Sequence, residues 1–265
     1  MSKTISILGC GWFGLPLASR LTSAGHKVMG STTDPARKNE IQKTGAQPFV
    51  IKLEPEQNAG NKPFFSSDIA VVNFPPRRRD DIKTHLAGQT RSLMNALADG
   101  GTGFVILISS TSVYADLGRV VTEEDFTTGE PEKASGSALR EMEQTMAEGD
   151  FDLTVLRFAG LIGYDRDPRR FLKKRPAADR PDRPVNLIHR DDCVEITAQI
   201  IEKNIRGETL NAVSDSHPFR SEFYLSEAKK AGVEPPEFKK AESWKIVSGE
   251  KLKKTLNYNY KKNPL

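Results

Sequence analysis

Only two cysteines occur in the 265 residues, Cys10 in a glycine-rich stretch and Cys193 near a helix start. A pair so placed excludes a disulfide framework as the source of stability. Histidine is almost as sparse. His26, His85, His189 and His217 are scattered, with neither metal-ligand spacing nor the company of a Ser-His-Asp triad. Long hydrophobic runs are missing as well; none approaches the roughly 18 apolar residues of a membrane-spanning helix. The opening MSKTISILGCGWFG passes from a short polar start into an apolar run and a glycine turn. It lacks the extended apolar region and small-residue cleavage site of a secretory signal. The expectation is a cytoplasmic protein with no membrane partner.

What is present describes a soluble globular chain. Apolar residues make up 37% and charged residues 28%, and the length suffices for one large domain or a two-lobed unit with a sizeable core. The net charge of +4 is unevenly spread. Residues 166–183 hold eight Lys/Arg against three Asp, a local +5 on an otherwise nearly neutral chain. One basic segment of this kind argues against a nucleic-acid binder, whose cations spread over a face.

Apolar strands alternate with helical spacing. TISIL at 4–8, KVMGS at 27–31, FVIKL at 49–53, DIAVVNF at 68–74, FVILIS at 104–109 and LTVLRF at 153–158 read as strands. Helices are expected from Leu15 to Gly25, from Asp34-Pro35 to Gly45, over 80–98, 137–148 and 192–204, with a strand at 208–213. Near-continuous apolar strands between helices mean a parallel sheet covered on both faces. Residues 164–184, rich in Arg, Pro and Asp, read as a loop. The last fifty residues read as a small helical lobe.

Gly9-Cys10-Gly11-Trp12-Phe13-Gly14 is a G-x-G-x-x-G between a strand and a helix. The first glycine permits the turn, the second lets backbone approach a pyrophosphate, and the third allows close helix–strand packing. The following helix points its N-terminus at the phosphates. The context predicts a dinucleotide site at Gly9, Gly11, Trp12, Phe13 and Gly14. NADP or NAD would fit. Asp34 has the sequence distance of a ribose-binding acid, but Asp34-Pro35 is better explained as a helix cap. Small hydroxyls at Ser31, Thr32 and Thr33 with a cation at Arg37 favour a 2′-phosphate, hence NADP.

At this point the chain resembles the extended or atypical short-chain dehydrogenase/reductases of the NAD-dependent epimerase/dehydratase type. The pieces are the glycine turn, Asn73-Phe74-Pro75-Pro76, Ser109-Ser110-Thr111-Ser112-Val113-Tyr114, Thr122-Glu123-Glu124-Asp125, Arg157-Phe158-Ala159-Gly160 with Gly163, and Asn186 through Asp192. The resemblance implies an α/β Rossmann fold, a doubly wound parallel sheet with a small C-terminal substrate lobe. The dinucleotide domain would occupy 1–160 with 185–213 returning to it, and the lobe 161–184 and 214–265. It implies cofactor contacts from Phe74 and Pro75 and a substrate-facing hydroxyl at Ser110. It also implies a Tyr-x-x-x-Lys pair on the next helix, where the lysine lowers the phenol's pKa so that it acts as a base.

That pair is missing. Aligning Glu143-Gln144 with the family's acid–glutamine puts Ser135 at the tyrosine position and Leu139 at the lysine position. A shift of one gives Gly136 and Arg140. Tyr114 remains a candidate proton donor beside Ser110, although the family commonly carries a tyrosine there as a pocket wall; Tyr164 is a second. His189 and Asp192 are expected to be structural, with Asp192 capping a helix. The basic segment, Arg169 and Arg170 included, matches a region where the family grips substrate phosphate, and Arg77 lies near the Pro-Pro turn. The expected function is therefore an oxidoreductase or epimerase/dehydratase-like protein. Its substrate would be a small or nucleotide-linked hydroxy or carbonyl compound, such as a nucleotide sugar. The alternative is a non-catalytic NAD(P)-binding sensor or regulator. A homodimer is expected by analogy.

Overall fold

The computed structural model describes residues 2–55, 60–74, 76, 79–166, 177–179, 183–232, 237–239 and 243–262. Its centre is a seven-stranded sheet, parallel throughout, of β1 (Thr4–Leu8), β2 (Lys27–Thr32), β3 (Gln47–Val50), β4 (Ile69–Val72), β5 (Phe104–Ser110), β7 (Asp152–Phe158) and β11 (Thr209–Ala212). The order is β11-β7-β5-β4-β1-β2-β3. Strand order reverses between β1 and β4, and in such sheets ligands bind beyond the carboxyl ends at that reversal.

The apolar runs read from the sequence become the central strands because both faces are covered. β4 is buried along its whole length, and Phe104, Val105 and Ile106 of β5 have no exposed surface. Helix α1 (Gly14–Ser23) packs on α6 (Arg190–Glu202), while α4 (Ile82–Gly100) packs on α5 (Ala134–Met146) and on the short α3 (Lys62–Phe65). A 3-10 turn at Pro35–Arg37 leads into α2 (Lys38–Gln42), with Asp34 as its cap: the carboxylate accepts from Ala36 N at 2.9 Å.

Three features differ from the sequence expectations. The third strand starts and ends earlier than 49–53, because it pairs with Met29–Thr32 through Gln47–Val50. The last fifty residues are not purely helical. Besides α8 (Glu250–Leu256), β12 (Glu237–Lys239) pairs with β9 (Ala177–Asp179), and β13 (Lys245–Val247) pairs with β6 (Arg119–Val121). The helix expected from Asp192 starts at Arg190. Its cap is His189, whose Nδ1 accepts from Asp191 N at 3.2 Å. Asp192 is fully buried and instead holds the C-terminal segment, accepting from Tyr258 Oη at 2.6 Å and Lys261 N at 2.9 Å.

Further polar ties fix the C-terminal segment. Asp116 faces Lys245 Nζ at 2.9 Å and Arg183 Nη2 at 2.6 Å. Asn186 donates to Lys245 O and accepts from Val247 N. Arg183, counted in the basic segment, is thus committed to an internal ion pair. Beside it, β8 (Gly160–Ile162) and β10 (Leu187–His189) pair next to β7. α7 (Arg220–Ala231) follows β11.

Candidate functional site

The glycine turn lies at the carboxyl end of β1, beside Asn73 at the end of β4. Gly9 has φ +106°, and a Cβ there would fall 2.0 Å from Asn73 O, so only glycine fits. Asn73 Nδ2 donates to Gly9 O at 2.9 Å, and Gly9 N donates to Ser31 Oγ at 3.0 Å. A Cβ on Gly14 would meet Gly9 O at 2.3 Å, so that glycine seats α1 against the turn. Gly11 is different: nothing lies within 4 Å of a Cβ built on it. Its backbone faces open space. Phe13 gives α1 no side-chain cap, Leu15 N donates to Gly11 O and Pro16 has no N–H, so the helix start offers the opening the positive end of its dipole rather than a row of free N–H groups. A tight turn, an open central glycine and an uncapped helix start fit a pyrophosphate.

The flanking candidates divide by their surroundings. Phe13 is 4% exposed and its ring meets Phe158 edge-on at 5.2 Å, so it offers only backbone to a ligand. Phe74 is partly buried against the core. Cys10 is buried in the turn, and burial pushes its thiol up to about 12, which keeps it un-ionised and inert. Ser31 is 2% exposed, its hydroxyl engaged by Gly9 N; Thr32 Oγ1 accepts from Asp34 N at 3.1 Å. Asp34 is turned onto Ala36 N, and Arg37 pairs on the surface with Glu40 at 2.7 Å. No carboxylate therefore projects from the end of β2 itself. Pro75, Arg77, Arg169 and Arg170 lie outside the described residues.

A second group sits at the end of β5. Ser110 is half-buried, and its Oγ accepts from Ser112 N at 3.2 Å, which leaves the hydroxyl proton to donate elsewhere. Gly136 brings α5 down on this cluster, since a Cβ there would lie 2.2 Å from Ser112 O. The neighbouring Ser135 is half-buried, and Leu139, one turn on, is 7% exposed. Arg140 is committed to structure: it donates to Val113 O at 2.8 Å and Gly129 O at 2.9 Å.

Tyr114, a candidate proton donor by sequence, lies wholly inside the core. Its hydroxyl donates to Asn211 Oδ1 at 2.7 Å and accepts from Arg157 Nη1 at 2.6 Å. Burial pushes the phenol up to about 12 against the opposing pull of Arg157. It forms the floor behind Ser110, out of reach of a substrate. Arg157 in turn pairs with Glu143 of α5, and Glu143 also accepts from Ser109 Oγ. This network fixes α5 against β5 and β7.

A third group brings Trp12 and Tyr164, both candidates by sequence, together with Asp165, Arg166, Arg190 and Asp191, an association the sequence did not predict. Trp12 Nε1 donates to Asp165 Oδ1 at 2.5 Å, and the guanidinium carbons of Arg166 and Arg190 lie 4.2 and 5.2 Å from the centre of the indole ring system. Arg190 also stacks on Tyr164 at 3.7 Å, and Tyr164 Oη donates to Asp191 at 2.9 Å. A stretch just past β8 is thus folded onto the glycine turn. The sequence signal was Trp12, a large aromatic inside the glycine motif.

No family model matches the chain. The seven-stranded parallel sheet flanked by helices matches the fold of solved NAD-bound epimerase and short-chain dehydrogenase/reductase superfamily structures. UDP-glucuronic acid 4-epimerase from Bacillus cereus, solved in complex with NAD, superposes with a TM-score of 0.80 at 19% identity, covering 98% of this chain and 94% of that one. A functionally unknown conserved protein from Silicibacter pomeroyi gives a TM-score of 0.75 at 22% identity over 99% and 95%. In sequence the chain is similar to Protein YeeZ of Escherichia coli (strain K12), 29% identical over 97% of this chain and 96% of that protein.

Proposed function

We propose that the chain is an atypical member of the short-chain dehydrogenase/reductase superfamily that binds NAD(P) across the glycine turn. We further propose that it acts as an oxidoreductase or epimerase-like enzyme on a small or nucleotide-linked hydroxy or carbonyl compound. The observation that carries the reading is the open Gly11 face before the uncapped start of α1, held rigid by Gly9, Asn73 and Gly14. The Bacillus cereus structural neighbour, a UDP-glucuronic acid 4-epimerase complexed with NAD, supports the same cofactor class and a nucleotide-sugar type of substrate. Between the two dinucleotides, the end of β2 favours NADP. Asp34 is turned onto its helix cap rather than toward a ribose, as an NAD-selecting acid would be, and Arg37 on the adjacent 3-10 turn is a cation that would exchange its surface partner Glu40 for a 2′-phosphate.

A nicotinamide dinucleotide, when bound, supplies hydride transfer. The chain's own part is to seat the pyrophosphate on the turn and to orient the substrate oxygen with the free donor of Ser110. Ser135 and Leu139 stand where the resemblance places Tyr and Lys, so the family's proton relay has no counterpart. Proton exchange then falls to Ser110, to water, or to the substrate itself. Mixing the protein with reduced and oxidised cofactors and a panel of carbonyl compounds and sugar nucleotides tests this. Reduced-cofactor absorbance and product identity are both followed. Turnover that Ser110→Ala abolishes supports the enzyme.

The burial of Tyr114 and Leu139 and the internal use of Arg140 favour a second reading, a non-catalytic NAD(P) sensor. Tight cofactor binding with no turnover across the panel is the result it expects.

A further inference from the structure

We propose that Arg190 and Arg166, gathered on the Trp12 indole, form a phosphate clasp over the glycine turn, with Arg190 donating directly to the pyrophosphate of the bound dinucleotide. The proposal rests on the dinucleotide reading above and adds side-chain donors to the backbone ones.

Arg190 is the first residue of α6, and its Nη1 reaches Trp12 O at 3.4 Å, inside the glycine turn. Of its five N–H donors, that is the one engaged by a hydrogen bond among the described residues, and its Nε is buried with no partner there. A guanidinium carrying unused donors beside backbone shaped for a diphosphate has the geometry to grip it. The stack fixes where that guanidinium sits. Tyr164 lies 3.7 Å beneath it, Trp12 flanks it, and Arg166 adds a second cation over the same indole.

The nearby carboxylates are otherwise engaged. Asp165 accepts from Trp12 Nε1, and Asp191 accepts from Tyr164 Oη and faces His189 Nδ1 at 3.6 Å. Among the described residues no carboxylate lies within ion-pair distance of Arg166 or Arg190. The two guanidiniums share this surface with the Asp165 and Asp191 carboxylates but, among the described residues, are ion-paired to neither, which leaves their N–H donors for an incoming anion. The backbone carries a matching signature. Tyr164 has φ +57°, unusual for a bulky residue, and the turn is closed by mutual hydrogen bonds between Gly163 and Arg166. Such strain is found where structure is held for a ligand.

The test uses the full chain with Trp244→Phe, which leaves Trp12 as the sole tryptophan and its fluorescence as the readout. ADP-ribose, which carries the pyrophosphate, and adenosine, which carries none, are titrated against this protein and its Arg190→Gln, Arg190→Lys and Arg166→Gln forms. Thermal melting of each is recorded. Arg190→Gln is expected to weaken ADP-ribose binding about tenfold or more, with Arg190→Lys between it and the parent. Arg166→Gln should lose less, and adenosine affinity should not change. Equal losses for both ligands, or undiminished ADP-ribose affinity in Arg190→Gln, would overturn the clasp while leaving the dinucleotide site intact. Failure of the parent protein to bind ADP-ribose, NADPH or NADH would overturn both.

Discussion

The Glu143 carboxylate on α5 and the Arg157 guanidinium on β7 meet at 2.6 Å inside the core, their side chains 4% and 3% exposed. Arg157 Nε also donates to Glu143, and the Arg157 guanidinium lies 4.3 Å from the Phe126 ring centre. The pair holds the helix that should carry the catalytic residues in a fixed register against the strand behind Ser110. Removing one partner strands the other charge in a dry interior. Glu143→Ala is expected to cost about 3–5 kcal/mol in denaturant unfolding. A Glu143→Leu/Arg157→Met double variant should recover most of that loss, because it leaves no uncompensated charge.

The buried phenol of Tyr114 makes stability fall in alkali. An unfolded tyrosine titrates near 10, whereas the folded one is pushed up to about 12 by burial. Its contribution is fully present below pH 10 and is lost as pH rises from 10 through 12, because the unfolded chain releases the proton first. The loss is on the order of 3 kcal/mol across the window. Tyr258 and Tyr260 are raised by burial too and act in the same direction. Unfolding free energy followed against pH should therefore decline over this range. Tyr114→Phe should flatten part of the slope while costing about 1–3 kcal/mol at neutral pH, since Asn211 and Arg157 lose a partner.

The seven-stranded sheet was legible because FVILIS and LTVLRF are nearly continuous apolar runs rather than alternating ones, as doubly covered parallel strands require. The glycine turn was legible because its three glycines stand between a strand and a helix; Gly9 and Gly14 answer close backbone contacts, whereas a Cβ on Gly11 would meet open space. What stayed hidden depends on partners distant in the chain. Arg119–Val121 and Lys245–Val247 pair as three-residue strands too short to show a period. Nothing local tells that Tyr114 is sealed by Asn211 and Arg157, or that His189 rather than Asp192 caps its helix. The contact between Trp12 and Asp165 spans 153 residues, and only the folded chain brings its two ends together.

Ser135→Tyr combined with Leu139→Lys is the direct probe of the atypical helix. Leu139 is 7% exposed, so a lysine there would run its stem along apolar neighbours with its amine reaching for water. The double variant is expected to change cofactor affinity several-fold relative to the parent by titration, at some cost in melting temperature. Unchanged affinity and activity in a folded variant would mean that these positions do not face the nicotinamide ribose.

NADPH and NADH titrated in parallel test the reading of β2. NADPH is expected to bind more tightly, and Arg37→Ala to narrow the difference by reducing NADPH affinity alone. Tighter binding of NADH would mean that Asp34 leaves its cap to reach the ribose.

The most direct measurement compares dinucleotide binding to the parent protein and to Gly11→Val, with melting temperature recorded for both. Apart from its chain neighbours, none of the described residues has an atom within 4 Å of a Cβ at Gly11, so the variant should fold with nearly the parent's stability. Its side chain would fill the space in which a pyrophosphate meets the backbone. Calorimetric titration should show the parent binding NADPH and the variant weakened tenfold or more, on the order of 1.4 kcal/mol. Equal affinity in the two proteins, or none in the parent, would contradict a dinucleotide site at the glycine turn.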